Sequence, residues 1–329
     1  MKILVCGGAG YIGSHTVYEL INHGYEVVVI DNLQTGHEEA IHPLAKFYKG
    51  DIRDRFFLQA VFKQEKIDGV IHFAANSLVG ESMFEPFKYY ENNVYGTLVL
   101  LDVLKEFGIN KVVFSSTAAV YGEAKTTPIL ESDLPEPTST YGETKLAMEK
   151  MFKWFDIAHG IKYISLRYFN VAGAYITGEI GEDHQPETHL IPLVLQVPLG
   201  KRDNIKVFGN DYNTPDGTCL RDYIHVYDLA NAHILAIEKL FEGSSSDIFN
   251  LGNGKGFSVM EIIEAARKVT KHPIPVEITP RRAGDPATLI ASNQKAIDKL
   301  GWKIEYPNVI DVIESAWKWH QFRPNGYNK

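Results

Sequence analysis

The stretch Gly7-Gly8-Ala9-Gly10-Tyr11-Ile12-Gly13 limits what this chain can fold into more than any other. It follows a short apolar run, Ile3 to Cys6, and opens a segment, Tyr11 to Asn22, with helical spacing closed by His23-Gly24. The apolar run predicts a strand buried on both faces, and the terminal glycine predicts a helix stop. Gly7, Gly10 and Gly13 fall where a strand-to-helix turn is tight and a backbone must approach a pyrophosphate, which the helix N-terminus then faces with free N–H groups. Asp31 ends a second apolar run, Val27 to Ile30, at the distance where a carboxylate accepts hydrogen bonds from the adenosine ribose hydroxyls. An acid there repels a 2′-phosphate, and no arginine directly follows it. The pattern predicts a dinucleotide-binding α/β domain that takes NAD rather than NADP. Asp51-Ile52, after a weaker strand at Phe47 to Lys49, stands near the adenine or caps the helix that follows; both readings stay open.

The alternation continues. Asp54 to Gln64 reads as a helix, Val70 to Phe73 as a strand, and Tyr89 to Phe107 as a long helix ending at Gly108. Val112 to Ser115 and Tyr163 to Tyr168 read as strands around a long helix, Ser139 to His159, closed by Gly160. Buried strands alternating with helices predict a doubly wound parallel sheet. After Asn170 the rhythm changes. Ala174 to Pro192 carries glycines, acids and two histidines without clear periodicity; Ser258 to Glu261 has the form of a capping box; Pro273 and Pro275 flank a strand candidate; Asn308 to Gln321 is an aromatic-rich helix. The expected division is a Rossmann domain over 1–172 and a smaller mixed α/β substrate lobe over 173–329, with segments returning to the first domain.

Composition narrows the classes. The 329 residues carry a net charge of -8 and no long basic run, which gives no support to a nucleic-acid or membrane partner. No apolar run approaches a membrane span. The two cysteines, Cys6 and Cys219, cannot form a disulfide framework, and no Cys/His cluster has zinc spacing, so no metal is expected. The chain enters a strand pattern at Lys2 without a leader, and the expected location is the cytoplasm.

Tyr141-Gly142-Glu143-Thr144-Lys145 puts a phenol and an ammonium on one helix face. A free phenol is a poor base, and a close Lys⁺ together with a cationic nicotinamide favours the phenolate. Ser115-Ser116-Thr117 ends the strand before it, on the edge of a parallel sheet that faces ligand. In this order the glycine loop, Asp31, the hydroxyl cluster and Tyr141/Lys145 resemble the extended short-chain dehydrogenase/reductases. Nearly the whole chain is similar to the UDP-glucose (UDP-galactose) 4-epimerases within them. The matching stretches are Gly7 to His15, Asp31-Asn32-Leu33, Val79 to Ser82, Tyr89 to Gly96, Phe114 to Gly122, Tyr141 to Lys145, Leu166 to Gly173, Arg221 to Asp228 and Arg281 to Asp285.

The resemblance implies roles. Tyr141 is the acid/base residue, Lys145 binds the nicotinamide ribose, and Thr117 bridges the sugar 4-hydroxyl. Around NAD it implies Gly7, Gly10, Tyr11, Ile12 and Gly13 at the pyrophosphate, Asp31, Asn32, Asp51 and Ile52 at the adenosine, and Phe73, Ala74, Ala75, Asn92, Ser115 and Tyr168 further in. Around a UDP-sugar it implies Asn170, His189 and Leu190, then Val207 and Phe208, with Arg221 and Arg282 on the diphosphate and Asp285 on the uridine ribose. Sugar C4 is oxidised and reduced again on its other face without net change, so the cofactor is expected to stay bound. Thr117 is followed by Ala118-Ala119 where related 4,6-dehydratases place an acidic pair. Ser77 replaces a lysine, and His189 an asparagine, found in some members. Leu289 replaces a tyrosine of the sugar pocket, which extends the expected substrates to the N-acetylated UDP-hexosamines. A homodimer through the helices Tyr89–Phe107 and Ser139–His159 is the family expectation.

Overall fold

The computed structural model describes residues 1–282 and 286–327. In chain order the strands are β1 (Lys2–Cys6), β2 (Glu26–Asp31), β3 (Lys46–Lys49), β4 (Gly69–His72), β5 (Lys111–Ser115), β6 (Lys162–Tyr168), β7 (Asn170–Ala172), β8 (Ile205–Phe208), β9 (Leu220–His225), β10 (Asp247–Leu251), β11 (Gly256–Ser258), β12 (Val276–Thr279) and β13 (Thr288–Leu289). The helices are α1 (Tyr11–Asn22), α2 (Arg55–Gln64), α3 (Val79–Ser82), α4 (Pro86–Tyr89), α5 (Gly96–Glu106), α6 (Thr140–His159), α7 (Leu190–Leu195), α8 (Val226–Phe241), α9 (Val259–Thr270), α10 (Gln294–Leu300) and α11 (Val309–Phe322).

Seven strands form one parallel sheet in the order β10-β6-β5-β4-β1-β2-β3. Alternate residues of each strand feed different layers. Ile3, Val5, Val27 and Val29 pack with α1 and α8, whereas Leu4, Cys6, Val28 and Ile30 pack with α2, α5 and α6. Two covered faces explain the continuous apolar runs. Each fully buried Val, Leu or Ile side chain contributes about 1.5–3 kcal/mol. Chain order reverses between β1 and β4, so the crevice at the strands' C-terminal ends opens there.

Local chemistry sets the helix ends. Asp54 accepts from Phe57 N and starts α2, so Asp54, not Asp51, is its cap. Ser139 caps α6, which ends at Gly160 with φ 70°. Ser258 and Glu261 form a reciprocal capping box on α9. Two expectations need correction. The segment Tyr89 to Phe107 is not one regular helix: residues Tyr90–Tyr95 form a π-helical stretch ahead of α5. Its extra residue turns Asn92 and Asn93 inward, and Asn93 bonds Asn76 and Thr144. The prolines do not flank a strand: Val276 begins β12 directly after Pro275.

The remaining strands build the lobe. β9 pairs with β7, β11 and β13, and β8 pairs with β12; α7, α9 and α11 pack on them. Residues past 172 also serve the first sheet. α8 lies against α1, and β10 is the edge strand beyond β6.

Candidate active site

One cavity of about 660 Å³ runs from the β1–α1 turn to the lobe. At its first end the glycines are enforced by space. Gly7 has φ +82°, and a Cβ there would stand 2.6 Å from Ala74 N; one at Gly13 would stand 2.1 Å from Gly7 O. The N-cap of α1 is Gly10, which brings no capping side chain, and the first turn holds no acid. The N–H groups of this turn are left for an anion. Asp31 is 8% exposed and takes bonds from Ala9 N and Leu33 N, which aims its carboxylate along the crevice. These features fit a dinucleotide, with the pyrophosphate on α1 and a ribose beside Asp31. Asn32, Ile52, Phe73, Ala74, Ala75, Asn92, Tyr11 and Ile12 also line this end.

Tyr141, Lys145 and Thr117 meet on one wall. Tyr141 enters from the first turn of α6, where its N–H donates to Ser82 Oγ at 3.1 Å. The Lys145 ammonium donates to the Ser115 carbonyl at 2.8 Å and lies 5.9 Å from the Tyr141 ring centre. Burial pushes the Tyr141 phenol up to about 12, with the Thr117 hydroxyl pulling the other way. Burial lowers Lys145 to about 7, opposed by the Glu149 carboxylate. Burial thus opposes the charged form of both groups, and the positive charge of a bound nicotinamide would favour the phenolate.

At the lobe end, Asn170, His189, Leu190, Phe208, Arg221 and Arg282 line the cavity, as does Tyr168 between the two ends. Arg221 donates to the carbonyls of Leu220 and Pro286. Arg282 stacks its guanidinium 3.9 Å from the Phe208 ring centre, whereas Arg281 is turned away to Asp211. Four expected residues do not line the cavity. Val207 alternates with Phe208 on β8 and points into the lobe core. Leu289 packs against the Val120, Tyr121 and Ile129 cluster. Asp51 is held by Arg53 and Asn32 beside the adenosine end. Ser115 sits behind the wall, bonded to Tyr168 Oη at 2.5 Å. Asp285 lies outside the described residues. The sequence reading also missed Arg202 and Lys206, two cations at the lobe end, and Gln34 and Thr35 at the other. Only the spacing of Arg202 and Lys206 across the start of β8 hinted at them.

One further group was missed because it has no cysteine and no regular spacing. Glu182, His184 and His189 line the cavity rim and Glu187 joins them from outside it, the ligand atoms of all four within 4.8 Å of one another. His189 Nδ1 lies 2.9 Å from Glu182 Oε1 and from Glu187 Oε1. Burial opposes charge on both histidines, but the two carboxylates outweigh it and hold His184 and His189 up at about 9 and about 10.

Comparison with known proteins gives a consistent result. The model of the NAD dependent epimerase/dehydratase family matches residues 3–252. The UDP-glucose 4-epimerase of Halalkalibacterium halodurans is 60% identical over 328 residues, covering 100% of this chain and 98% of that protein. That of Lacticaseibacillus casei is 58% identical, with 99% of each chain covered. The crystal structure of UDP-glucose 4-epimerase from Bifidobacterium longum in complex with NAD+ and UDP superposes with a TM-score of 0.93 at 42% identity, covering 99% of this chain and 100% of that one.

Proposed function

Because the chain belongs to the NAD-dependent epimerase/dehydratase family, within its UDP-glucose 4-epimerases, we propose that it interconverts UDP-glucose and UDP-galactose with bound NAD. The observation that carries this reading is the convergence of Tyr141, Lys145 and Thr117 on the wall between a glycine cradle and a cationic lobe. A bound NAD, held by the glycine turn of α1, Asp31 and Lys145, would supply the hydride chemistry at sugar C4. The chain's own groups do the rest. Tyr141 takes the proton of the 4-hydroxyl and gives it back, within reach of the Thr117 hydroxyl. Lys145 holds the cofactor ribose near the phenol. Arg221 and Arg282, with Arg202 and Lys206 near them, hold the diphosphate while the oxidised sugar turns over. Sugar dehydration needs an added acid near C5 and C6. Among the described residues the cavity's only carboxylates are Asp31, at the adenosine end, and Glu182, at the rim, and Thr117 is followed by alanines. That favours epimerisation over dehydration. Leu289 does not line the cavity, so the N-acetylated substrates rest instead on the likeness to the UDP-Glc/GlcNAc 4-epimerase from Campylobacter jejuni, 42% identical to this chain with a TM-score of 0.86, and they stay within the proposal.

The test is a coupled assay. UDP-galactose is added to the purified protein, and UDP-glucose is read by a UDP-glucose dehydrogenase that does not accept the galactose form. Conversion is expected in a first step without added NAD, the dehydrogenase and its own NAD being supplied only after the protein has been removed, and NAD is expected to be released on denaturation. Absence of UDP-glucose, or a dehydrated 4-keto product, would refute the reading. We also propose a cytoplasmic homodimer. Phe87, Tyr90, Tyr95 and Leu98 leave an apolar face around the π stretch, with Trp154 and Ile157 exposed on the neighbouring α6. No helix of the described residues is long and apolar enough to cross a membrane. Light scattering should return twice the chain mass, and Leu98→Glu should halve it; a monomeric wild type would refute the dimer.

A further inference from the structure

We propose that Glu182, His184, Glu187 and His189 form a binding site for a single divalent transition-metal ion of the zinc class, at the rim of the active-site cavity. Cysteine and histidine spacing alone predicts no metal. The structure brings two imidazoles and two carboxylates together from one irregular loop instead. Four protein ligands of this kind match the tetrahedral preference of zinc, with no position left for a reacting water. The site would therefore be a closed one that holds the loop.

Three observations support it. The first is distance. Donors at ordinary Zn–N and Zn–O lengths stand about 3.3 Å apart along a tetrahedral edge. Here His184 Nδ1 and Glu182 Oε1 are 3.2 Å apart, His184 Nδ1 and Glu187 Oε2 3.8 Å, and His189 Nδ1 is 2.9 Å from each carboxylate. The second is an unmet need. Glu182 is 4% exposed, yet its Oε1 and the buried Nδ1 of His184 that faces it meet only as an ion-pair contact at 3.2 Å, and neither makes a well-aligned hydrogen bond. Buried polar atoms left in this way cost free energy that a shared cation would recover. The third is charge. Two carboxylates in a buried pocket are neutralised either by two imidazolium protons or by one dication. The dication does this while leaving both imidazoles neutral, the form in which burial favours them. Nitrogen ligands select zinc, cobalt or nickel over magnesium and calcium.

The position gives the site a purpose. His184 packs edge-on against Tyr11, the first residue of α1 in the cofactor cradle. His189 is the residue before α7, whose Leu190 lines the cavity. An ion here would fix the loop between the cradle and the lobe. His189, once a ligand, would be a positioning residue rather than a free contact for the substrate diphosphate.

The test uses the full-length protein with its cofactor, stripped with a chelator and titrated with Zn²⁺ and separately with Co²⁺. The expected results are one equivalent bound, the intense visible bands of tetrahedral Co²⁺, and a raised thermal midpoint with Zn²⁺ but not with Mg²⁺ or Ca²⁺. Outer-shell partners of a metal already matter about 10–100-fold. Loss of a ligand in His184→Asn should therefore weaken Zn²⁺ at least about a hundredfold, and Glu187→Gln should do likewise. Both variants are checked by far-UV circular dichroism. If stoichiometric binding is absent in wild type, the cluster is held by protons alone and the proposal fails. It also fails if Zn²⁺ binding survives unchanged in both variants. None of these readouts depends on epimerase activity.

Discussion

Glu149→Gln would place an unpaired cation in the core directly behind the catalytic wall. Glu149 and Arg167 have side chains only 4% exposed, and they meet in a two-pronged contact, Nε to Oε1 at 2.9 Å and Nη2 to Oε2 at 2.6 Å. Ser116 Oγ donates to the same carboxylate at 2.6 Å. Arg167 Nη1 donates to Tyr121 Oη, which donates on to Asn250 on β10. The pair thus joins α6, β6 and the edge strand. Glutamine keeps the shape and removes the charge. Breaking a buried pair from one side costs about 3–5 kcal/mol, a large share of the roughly 5–15 kcal/mol that holds a domain folded. Urea unfolding followed by circular dichroism measures the loss. The double variant Glu149→Met/Arg167→Met removes both charges and should recover most of it. A second readout is chemical. The Glu149 carboxylate opposes the burial that lowers Lys145, so its removal should lower Lys145 further. The alkaline fall in kcat/KM that follows Lys145 deprotonation should then begin at lower pH in Glu149→Gln. A single variant within about 1 kcal/mol of wild type, or a double variant no better than the single, would refute the argument.

Tyr141→Phe should lose about 10²–10⁴-fold in turnover while binding UDP as before by calorimetry, since it removes only the proton carrier; near-normal turnover would dismiss Tyr141 as the base. Arg282→Ala should weaken UDP by about ten- to a hundredfold, the equivalent of one charge-assisted contact at about 1.5–3 kcal/mol. Unchanged affinity would return Arg282 to its stack on Phe208 alone. Burial holds His15 and His233 down at about 4 and His72 and His225 at about 3, so each takes up a proton on unfolding once the pH drops below about 6.5. Their contribution is complete above that pH and is lost as the pH falls toward 4. His72→Asn should flatten the slope of stability against pH in that window by up to about 1.4 kcal/mol per unit, and an unaltered slope would contradict the neutral assignment.

The sheet and its cradle were legible because their signals are local. A buried strand, a tight turn and a capped helix each declare themselves within a few residues, so β1, Gly7 to Gly13, α1, α6 and the Ser258 box could be read directly. Tyr141 and Lys145 share a helix face by spacing alone. Legibility ended where side-chain direction decides. Val207 and Phe208 are neighbours on one strand, and the pleat sends only Phe208 to the cavity. Ser115 and Thr117 flank a strand end, and only Thr117 is aimed at the site. Leu289 and Asp51 sit near the cavity but are claimed by other partners. The rim cluster was hidden for a further reason: the loop that carries it has no period, so its side chains converge only once α1 and the lobe enclose it.

The edge strand has a consequence for how the chain can be cut and made. Because β10 arrives after the first lobe strands, the sheet stays one strand short until residue 251 has been synthesised. A fragment ending at 172 would bare the open side of β6, with Leu166 and Ile164 uncovered by α8. Such a flank invites pairing with other chains. The fragment 1–172 should therefore aggregate where the full chain stays dispersed, which sedimentation would show. The molecule is laced rather than hinged: its polypeptide passes from sheet to lobe and back before it ends, so neither half can be lifted from the other without unthreading the sheet.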